Sequence, residues 1–165
     1  MAQYATQNIR TVALVGHGAA GKTTLAEALL AQTGAIAAPG SIDRGTTASD
    51  FDPLEKTWKH SLRSSIVHLD TPAARVNLID TPGFPDFIGQ AICALRGVDL
   101  AVIVINAHTG IAVNTRRVYK EAEKAGLGRL IVINKMDDEN ADYGALVTSI
   151  QELWGNSCVP VNVPI

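Results

Sequence analysis

Short runs of apolar residues alternate along this chain with longer segments in which apolar residues recur every three or four positions. Residues 11–15 (TVALV) form a continuous apolar run, which is typical of a strand covered on both faces. Similar runs predict three more buried strands, at residues 76–79, 100–105 and 130–133. Strands that alternate with helices build a parallel sheet with helices on both faces. The pattern therefore predicts an α/β domain with a mostly parallel sheet.

The longer segments predict helices at residues 23–32, 113–125 and 141–154. The spacing in the first of them places Leu25, Ala28, Leu29 and Gln32 near one face. Gly126 and Gly155 stand where the other two are expected to end. The last residues, 159–165, predict the start of a further strand.

Residues 34–63 differ from the rest, because they are rich in Gly, Ser, Thr, Asp and Pro and show no sustained period. A stretch of this length without regular structure is uncommon in a compact domain unless it is functional or mobile. We therefore interpret this 34–63 segment as a ligand-responsive loop.

The composition is that of a globular protein, since 47% of the 165 residues are apolar and 18% are charged. No apolar run reaches the ~18 residues that a membrane span needs, and the first residues lack the apolar core of a signal peptide. We therefore expect no membrane association and a cytoplasmic location. The net charge of −2 predicts no direct nucleic-acid patch in this domain. Cys93 and Cys158 form no CxxC pair, which argues against a zinc site or a disulfide framework.

The first candidate site lies between the first predicted strand and the first predicted helix. Residues 16–23 (GHGAAGKT), called here the phosphate loop, fit G-x-x-x-x-G-K-[ST], in which backbone amides wrap a phosphate chain. Lys22 is predicted to reach the β- and γ-phosphates as a solvent-reachable catalytic charge, and the Thr23 hydroxyl to bind magnesium. The predicted nucleotide contacts of this region are Gly16, His17, Gly18, Ala19, Ala20, Gly21, Lys22, Thr23 and Thr24.

The second candidate site is the DTPG turn, residues 80–83, which follows the strand predicted at 76–79. Open parallel sheets bind ligands at the carboxyl ends of their strands, so Asp80 is expected to face the phosphate loop. Its carboxylate is predicted to hold magnesium through a water. Gly83 is predicted to offer its N–H to the γ-phosphate and so to take part in catalysis.

The third candidate site is the NKMD loop, residues 134–137, which follows the strand predicted at 130–133. Guanine presents two N–H donors that the Asp137 carboxylate can accept, whereas adenine would leave that carboxylate unpaired. Asn134 is predicted to tie this loop to the phosphate loop, and the Lys135 stem to cover the ring or sugar. Together the three motifs predict a P-loop NTPase fold that binds GTP or GDP with Mg²⁺.

At these motifs and between them, the sequence resembles the translational GTPases, specifically elongation factor G and its G-like paralogues. GHGAAGKTTL, DTPGFPDF and NKMD look like the family's first, third and fourth motifs, and GSIDRGTTASDFDP looks most like the G-like subgroup. The resemblance covers essentially the whole chain. It implies a GTPase that switches conformation on hydrolysis and works on the ribosome as part of a longer protein. Because no S-A-[KL] fifth motif is present, residues 1–165 are expected to be a GTP-binding domain that is incomplete at its C-terminus.

The chain departs from that family at positions that matter for catalysis. Ala19 stands where the family usually carries an Asp that helps to hold a cation, and Phe84 stands where the family's catalytic His follows the DTPG turn. The R-G-I-T signature of the first switch is replaced by residues 59–63, so the usual Thr ligand of magnesium is missing. Ser61 or Ser64 is a candidate substitute. We therefore expect a very low intrinsic rate of GTP hydrolysis.

The four histidines predict no other catalytic group: His17 belongs to the phosphate loop, where similar relatives also carry His, and the others are His60, His68 and His108. Two functions stay open, namely a GTPase with a ribosome-bound conformational cycle and a GTP-dependent switch or sensor with negligible hydrolysis. The second is favoured by Ala19 and Phe84, and the first by the resemblance. A third, an ATP-using enzyme such as a kinase, is disfavoured by Asp137.

Overall fold

A computed structural model describes residues 4–139 and 141–164 of the chain. Its centre is a five-stranded sheet in the order β2-β3-β1-β4-β5. The inner pairs β1–β3, β1–β4 and β4–β5 are parallel, and β2 pairs antiparallel with β3 at one edge. The strands are β1 Ile9–Gly16, β2 Ser65–Asp70, β3 Arg75–Asp80, β4 Leu100–Asn106 and β5 Gly128–Asn134. The predicted mostly parallel sheet is confirmed.

Helices cover both faces of the sheet, as predicted. The α-helices of the described residues are α1 Lys22–Gln32, α2 Pro53–Trp58, α3 Ile88–Leu95, α4 Val113–Lys124 and α5 Tyr143–Trp154, and all of them except α2 contribute to the core. Side chains alternate along β4, so that Val102 and Val104 pack with α1 on one face. Ile103 and Ile105 pack with α3, α4 and α5 on the other face. Within the two described ranges, no helix has the length and apolar character that a membrane crossing requires.

The face of α1 on which the spacing places Leu25, Ala28, Leu29 and Gln32 is mostly exposed. Leu29 is 37% exposed, whereas Glu27, Ala26 and Leu30 are buried. The first residue of α1 is Lys22, which also belongs to the phosphate loop. The position of that loop therefore determines which face of α1 packs against the sheet. Polar residues with partners in the site therefore occupy part of the buried stripe, Leu29 turns outward, and Leu25 packs against the edge of the core.

Several elements were not predicted, and one predicted element is wrong. The sequence pattern does not predict β2, α2 or α3, and α2 lies inside the 34–63 segment. A capping box begins α2: the Asp52 side chain accepts from Leu54 N, and the Glu55 side chain accepts from Asp52 N. The strand expected from residue 159 onward is absent over residues 159–164, while residue 165 lies outside the described part of the chain. The two prolines in this stretch lack the N–H that a ladder needs.

Candidate functional site

The phosphate loop, the DTPG turn and the NKMD loop meet at one edge of the sheet. They follow β1, β3 and β5, and these strands belong to the parallel part of the sheet, so their carboxyl ends lie on the same side. This edge is the usual ligand-binding edge of an open α/β sheet. The fold therefore brings together the three motifs that the sequence singles out.

The backbone of the phosphate loop requires glycine at two positions. Gly16 has φ +146° and Gly21 has φ +94°. A side chain at Gly16 would collide with the carbonyl of Val104, and one at Gly21 with the side-chain amide of Asn134. Ala19 also has a positive φ, +58°, a region in which Asp is tolerated better than Ala. The loop leads directly into α1, whose first N–H groups point toward a bound anion.

Lys22 is buried, with 6% of its surface exposed, so the expectation of a solvent-reachable charge is wrong. Its ammonium donates hydrogen bonds to the carbonyl of His17 at 2.8 Å and to that of Gly16 at 3.4 Å. Burial lowers the pKa of Lys22 to about 8, although the Asp80 carboxylate opposes the shift. The protein thus holds the ammonium inside the phosphate loop, in a low-dielectric setting where its attraction for phosphate is strong.

Thr23 and Asp80 connect the phosphate loop to the DTPG turn. The Thr23 hydroxyl donates to one Asp80 oxygen, Oδ2, at 2.6 Å. Asp80 is 1% exposed, and its other oxygen, Oδ1, has no hydrogen-bond partner among the described residues. Burial raises the pKa of Asp80 to about 6. A buried carboxylate oxygen without a partner is costly, and a bound cation would satisfy it.

The hydroxyl of Ser61 completes this group of oxygen atoms. It lies 3.3 Å from the Thr23 hydroxyl and donates to Asp50 at 2.7 Å. Asp50, which is 4% exposed, also accepts from Thr47 at 3.3 Å. Hydroxyl and carboxylate oxygens are the ligands that magnesium prefers, so the residues present fit that ion. Of the two serines considered from sequence, the contact with Thr23 favours Ser61, and Asp50 is an acidic neighbour that the sequence analysis missed.

Two other buried carboxylates hold the 34–63 segment in place: Glu27 connects it to α1, and Glu55 connects two parts of the segment to each other. Glu27 of α1 accepts from the backbone N–H groups of Gly40 at 2.7 Å and Ala48 at 2.6 Å. Glu55 of α2 accepts from Leu62 N at 2.8 Å, just beyond Ser61. The spacing Asp-x-x-Glu at residues 52–55 is a signal that would have identified Glu55. No comparable signal marks Glu27, because its partners lie far along the chain.

Gly83 and Phe84 lie against the phosphate loop. A side chain at Gly83 would collide with Lys22 Nζ, and the carbonyl of Gly83 accepts from Asn114 Nδ2 at 2.9 Å. The Phe84 ring packs over Gly18. A Cβ atom at Gly18 would lie 3.2–3.3 Å from the ring atoms of Phe84. The sequence analysis missed Asn114, which orients the turn from α4.

The NKMD loop touches the phosphate loop through one hydrogen bond. Asn134 Nδ2 donates to the carbonyl of Ala20 at 3.0 Å, which is the tie predicted from the sequence. Lys135 adopts φ +60° and is exposed, and Asp137 is exposed at the rim. An exposed carboxylate three residues after Asn134 is available to a ligand. Its role in reading the base stays a prediction.

The sequence matches a known protein family over most of its length. Residues 7–163 match the family described as "Elongation factor Tu GTP binding domain". The chain is 38% identical over 156 residues to an elongation factor G-like protein of Mycobacterium tuberculosis, covering 94% of this chain and 22% of that relative. It is 36% identical over 160 residues to peptide chain release factor 3 of Lactococcus lactis, covering 94% of this chain and 31% of that relative.

Solved structures show the same architecture. A crystal structure of a protein from Thermus thermophilus superposes with a TM-score of 0.85 at 41% identity, over 89% of this chain and 22% of that one. A bacterial selenocysteine-specific elongation factor superposes with a TM-score of 0.70 at 26% identity, over 89% of this chain and 24% of that one. The chain thus spans less than a third of each of these relatives.

Proposed function

The chain belongs to the family of elongation factor Tu GTP-binding domains, and on that premise we propose that it binds GTP and GDP with Mg²⁺ and hydrolyses GTP. The observation that carries the proposal is the junction of three motifs at one sheet edge. Thr23 bonds to Asp80 at 2.6 Å, and Asn134 bonds to the Ala20 carbonyl at 3.0 Å. These contacts join the predicted phosphate, metal and base sites into one candidate site.

The phosphate chain is assigned to the backbone of residues 16–23 and to Lys22. The amides at the start of α1 point toward negative charge, and the buried ammonium adds a charge-assisted donor. Base recognition is assigned to Asp137, whose carboxylate accepts the two N–H donors of guanine. Asn134 supports it by holding the NKMD loop beside the phosphate loop.

Thr23, Asp80 and Ser61 are the residues that would hold magnesium, with Asp50 behind Ser61. The unpaired Asp80 oxygen and the neighbouring hydroxyls support this assignment. When bound, the ion supplies positive charge that stabilises the phosphates. The second oxygen of Asp80 is held by Thr23, so this carboxylate is already oriented within the protein.

Hydrolysis requires a water in line with the γ-phosphate and groups that support the charge developing there. Lys22 and the N–H of Gly83 are the groups that would stabilise this negative charge. The two residues lie close together, since a side chain at Gly83 would collide with Lys22 Nζ. Phe84 follows Gly83 and has no donor or acceptor for the water. We therefore propose a slow intrinsic rate.

The names of the relatives support a role in translation. Elongation factor G-like protein, peptide chain release factor 3 and ribosome-releasing factor 2 all match at 33–38% identity. We propose that the domain serves a longer translation factor whose partner is the ribosome and whose conformation follows the bound nucleotide. The cytoplasmic location and the incomplete C-terminus predicted from sequence stay predictions. A GTP-dependent switch with negligible hydrolysis is the second candidate, and the phenyl ring at residue 84 favours it.

The test is equilibrium binding of fluorescent GTP, GDP and ATP analogues with magnesium or with EDTA, followed by single-turnover hydrolysis. We expect magnesium-dependent binding of both guanine nucleotides, at least ~10²-fold weaker binding of ATP, and slow release of phosphate. Equal affinity for ATP and GTP would exclude the guanine assignment. Tight GTP binding without any phosphate release would leave the second candidate.

A further inference from the structure

The ring of His60 belongs to an aromatic group beside the phosphate loop. Its centroid lies 4.5 Å from that of Phe84, 6.2 Å from that of Phe87 and 6.1 Å from that of Trp58. Phe84 in turn packs over Gly18 of the phosphate loop. Phe84 therefore contacts both the imidazole of His60 and the backbone that is assigned to the phosphates.

Ser61, the next residue after His60, contacts the part of the candidate site that contains Thr23. Ser61 contacts Thr23 at 3.3 Å and bonds to Asp50 at 2.7 Å. Residues 60 and 61 thus lie between the Thr23–Asp80 pair and Phe84. This is the region that faces the γ-phosphate if the phosphate loop binds a nucleotide as proposed.

The other histidines are less suited to act on a reacting water. His68 is exposed on the edge strand β2, and His108 pairs with Asp138 at 3.6 Å beyond the end of β4. His17 belongs to the phosphate loop itself, and its carbonyl holds Lys22. Its Nδ1 atom is buried without a partner among the described residues, so His17 is the competing candidate.

We propose that His60 is a catalytic residue that orients the attacking water in GTP hydrolysis, in the role that Phe84 cannot fill; this inference rests on the proposed function. His60 Nδ1 lies 3.4 Å from the carbonyl of Ser61, and a proton on Nδ1 would point to that oxygen. Nε2 then carries the lone pair. It accepts a hydrogen bond from the water and holds the water oxygen toward phosphorus.

The reaction balances without any further reactant. The water oxygen forms a bond to the γ-phosphorus, and the bond from that phosphorus to the β–γ bridging oxygen breaks. The electron pair of the broken bond stays on the GDP oxygen, and the water protons leave with inorganic phosphate and solvent. His60 contributes orientation through the Nε2 lone pair and returns unchanged.

The test is single-turnover hydrolysis of γ-labelled GTP by the chain in excess, with magnesium present, in the parent and three variants. His60→Phe is expected to lower the rate constant by about 10²-fold or more, the usual contribution of such a group. His60→Gln retains a side-chain acceptor and should stay within about 10-fold of the parent. The matched control is His68→Phe, the same exchange at an exposed residue of β2, which should leave the rate constant unchanged.

GDP affinity and thermal unfolding are measured on the same proteins, and both should be unchanged in the His60 variants. Equal rate constants for the parent and His60→Phe would overturn the proposal, as would a large loss in His17→Gln alone. Equal losses in His60→Phe and His60→Gln would also overturn it, because the ring would then serve packing only. A parent that binds GTP tightly but releases no phosphate refutes the role of His60 and leaves nucleotide binding intact, whereas a parent that binds no GTP refutes both.

Discussion

The hydroxyl of Thr23 donates a 2.6 Å hydrogen bond to Asp80, and this bond joins the start of α1 to the end of β3. It occupies one oxygen of a carboxylate that is almost completely buried, while the other oxygen has no partner among the described residues. The arrangement suits a cation but is unfavourable for the protein by itself. Removal of this carboxylate should therefore raise the free energy of unfolding of the nucleotide-free chain and weaken its binding of magnesium.

Asp80→Asn tests that opposition directly. The amide keeps an acceptor for Thr23 but carries no charge, so the nucleotide-free variant should be more stable than the parent at pH 7 by on the order of 2 kcal/mol. The same change should abolish the magnesium dependence of GTP affinity. Urea unfolding in EDTA and GTP titration with and without magnesium measure the two effects. Lower stability together with unaltered magnesium dependence would mean that Asp80 is a structural residue.

The stability of the nucleotide-free chain in EDTA should vary with pH in two windows. The pKa of Asp80 is raised from 3.8 to about 6, so the folded state binds the extra proton and the free energy of unfolding falls as pH rises through that window. The pKa of Lys22 is lowered from 10.5 to about 8, so stability rises as pH increases from 8 toward 10.5. Urea midpoints across this pH range measure both slopes. The acidic slope should be much smaller in Asp80→Asn, and an identical slope in the two proteins would contradict the assignment.

Asp137→Asn should change the base preference from guanine toward xanthine. An amide can donate to the additional xanthine oxygen, whereas the native carboxylate repels it. Competition between GDP and xanthosine diphosphate for the parent and the variant measures the change. The matched control is Glu139→Gln, at an exposed acidic residue two positions further on. A variant that still prefers guanine as strongly as the parent would show that Asp137 does not contact the base.

Phe84→His should raise the intrinsic rate of GTP hydrolysis, because a second ring nitrogen would then act on the water in addition to that of His60. An imidazole after Gly83 adds a ring nitrogen next to the phosphate loop, and such a group typically contributes at least about 10²-fold. Single-turnover hydrolysis in potassium buffer compares the parent, Phe84→His and the double variant with Ala19→Asp. Equal rates in all three would mean that the ring at residue 84 does not limit catalysis.

The sequence was most informative where chemistry requires particular residue types in order. Gly16, Lys22, Asp80 and Asn134 lie at the sheet edge at which their motifs place them, because each motif follows a continuous apolar strand. The tie from Asn134 to Ala20 followed from the same reasoning. These features depend on local sequence and on the parallel order of the strands, and both can be inferred from the pattern of apolar runs.

The features that were missed depend on contacts between distant parts of the chain. Glu27 is buried although it is a charged residue, because its carboxylate accepts hydrogen bonds from the backbone of residues 40 and 48. Its polarity alone would predict an exposed position. Lys22 is buried for a related reason, since the loop folds around its ammonium. His60 has no distinguishing sequence neighbourhood, and its approach to Phe84 depends on how residues 34–63 fold. Periodicity cannot report such contacts, because it records only which residues are apolar.

The hairpin between β2 and β3 limits how far one end of the 34–63 segment can travel. Ser65 pairs with Asp80 across this ladder, and Ser61 lies only four residues earlier in the chain. Four extended residues span about 14 Å, so Ser61 stays within that distance of Ser65 while the ladder stays intact. Larger displacements are confined to residues before Ser61, which include α2 with its exposed Leu54 and Trp58. If the bound nucleotide orders the 34–63 segment as proposed, this short helix is therefore the part of the domain whose position changes most.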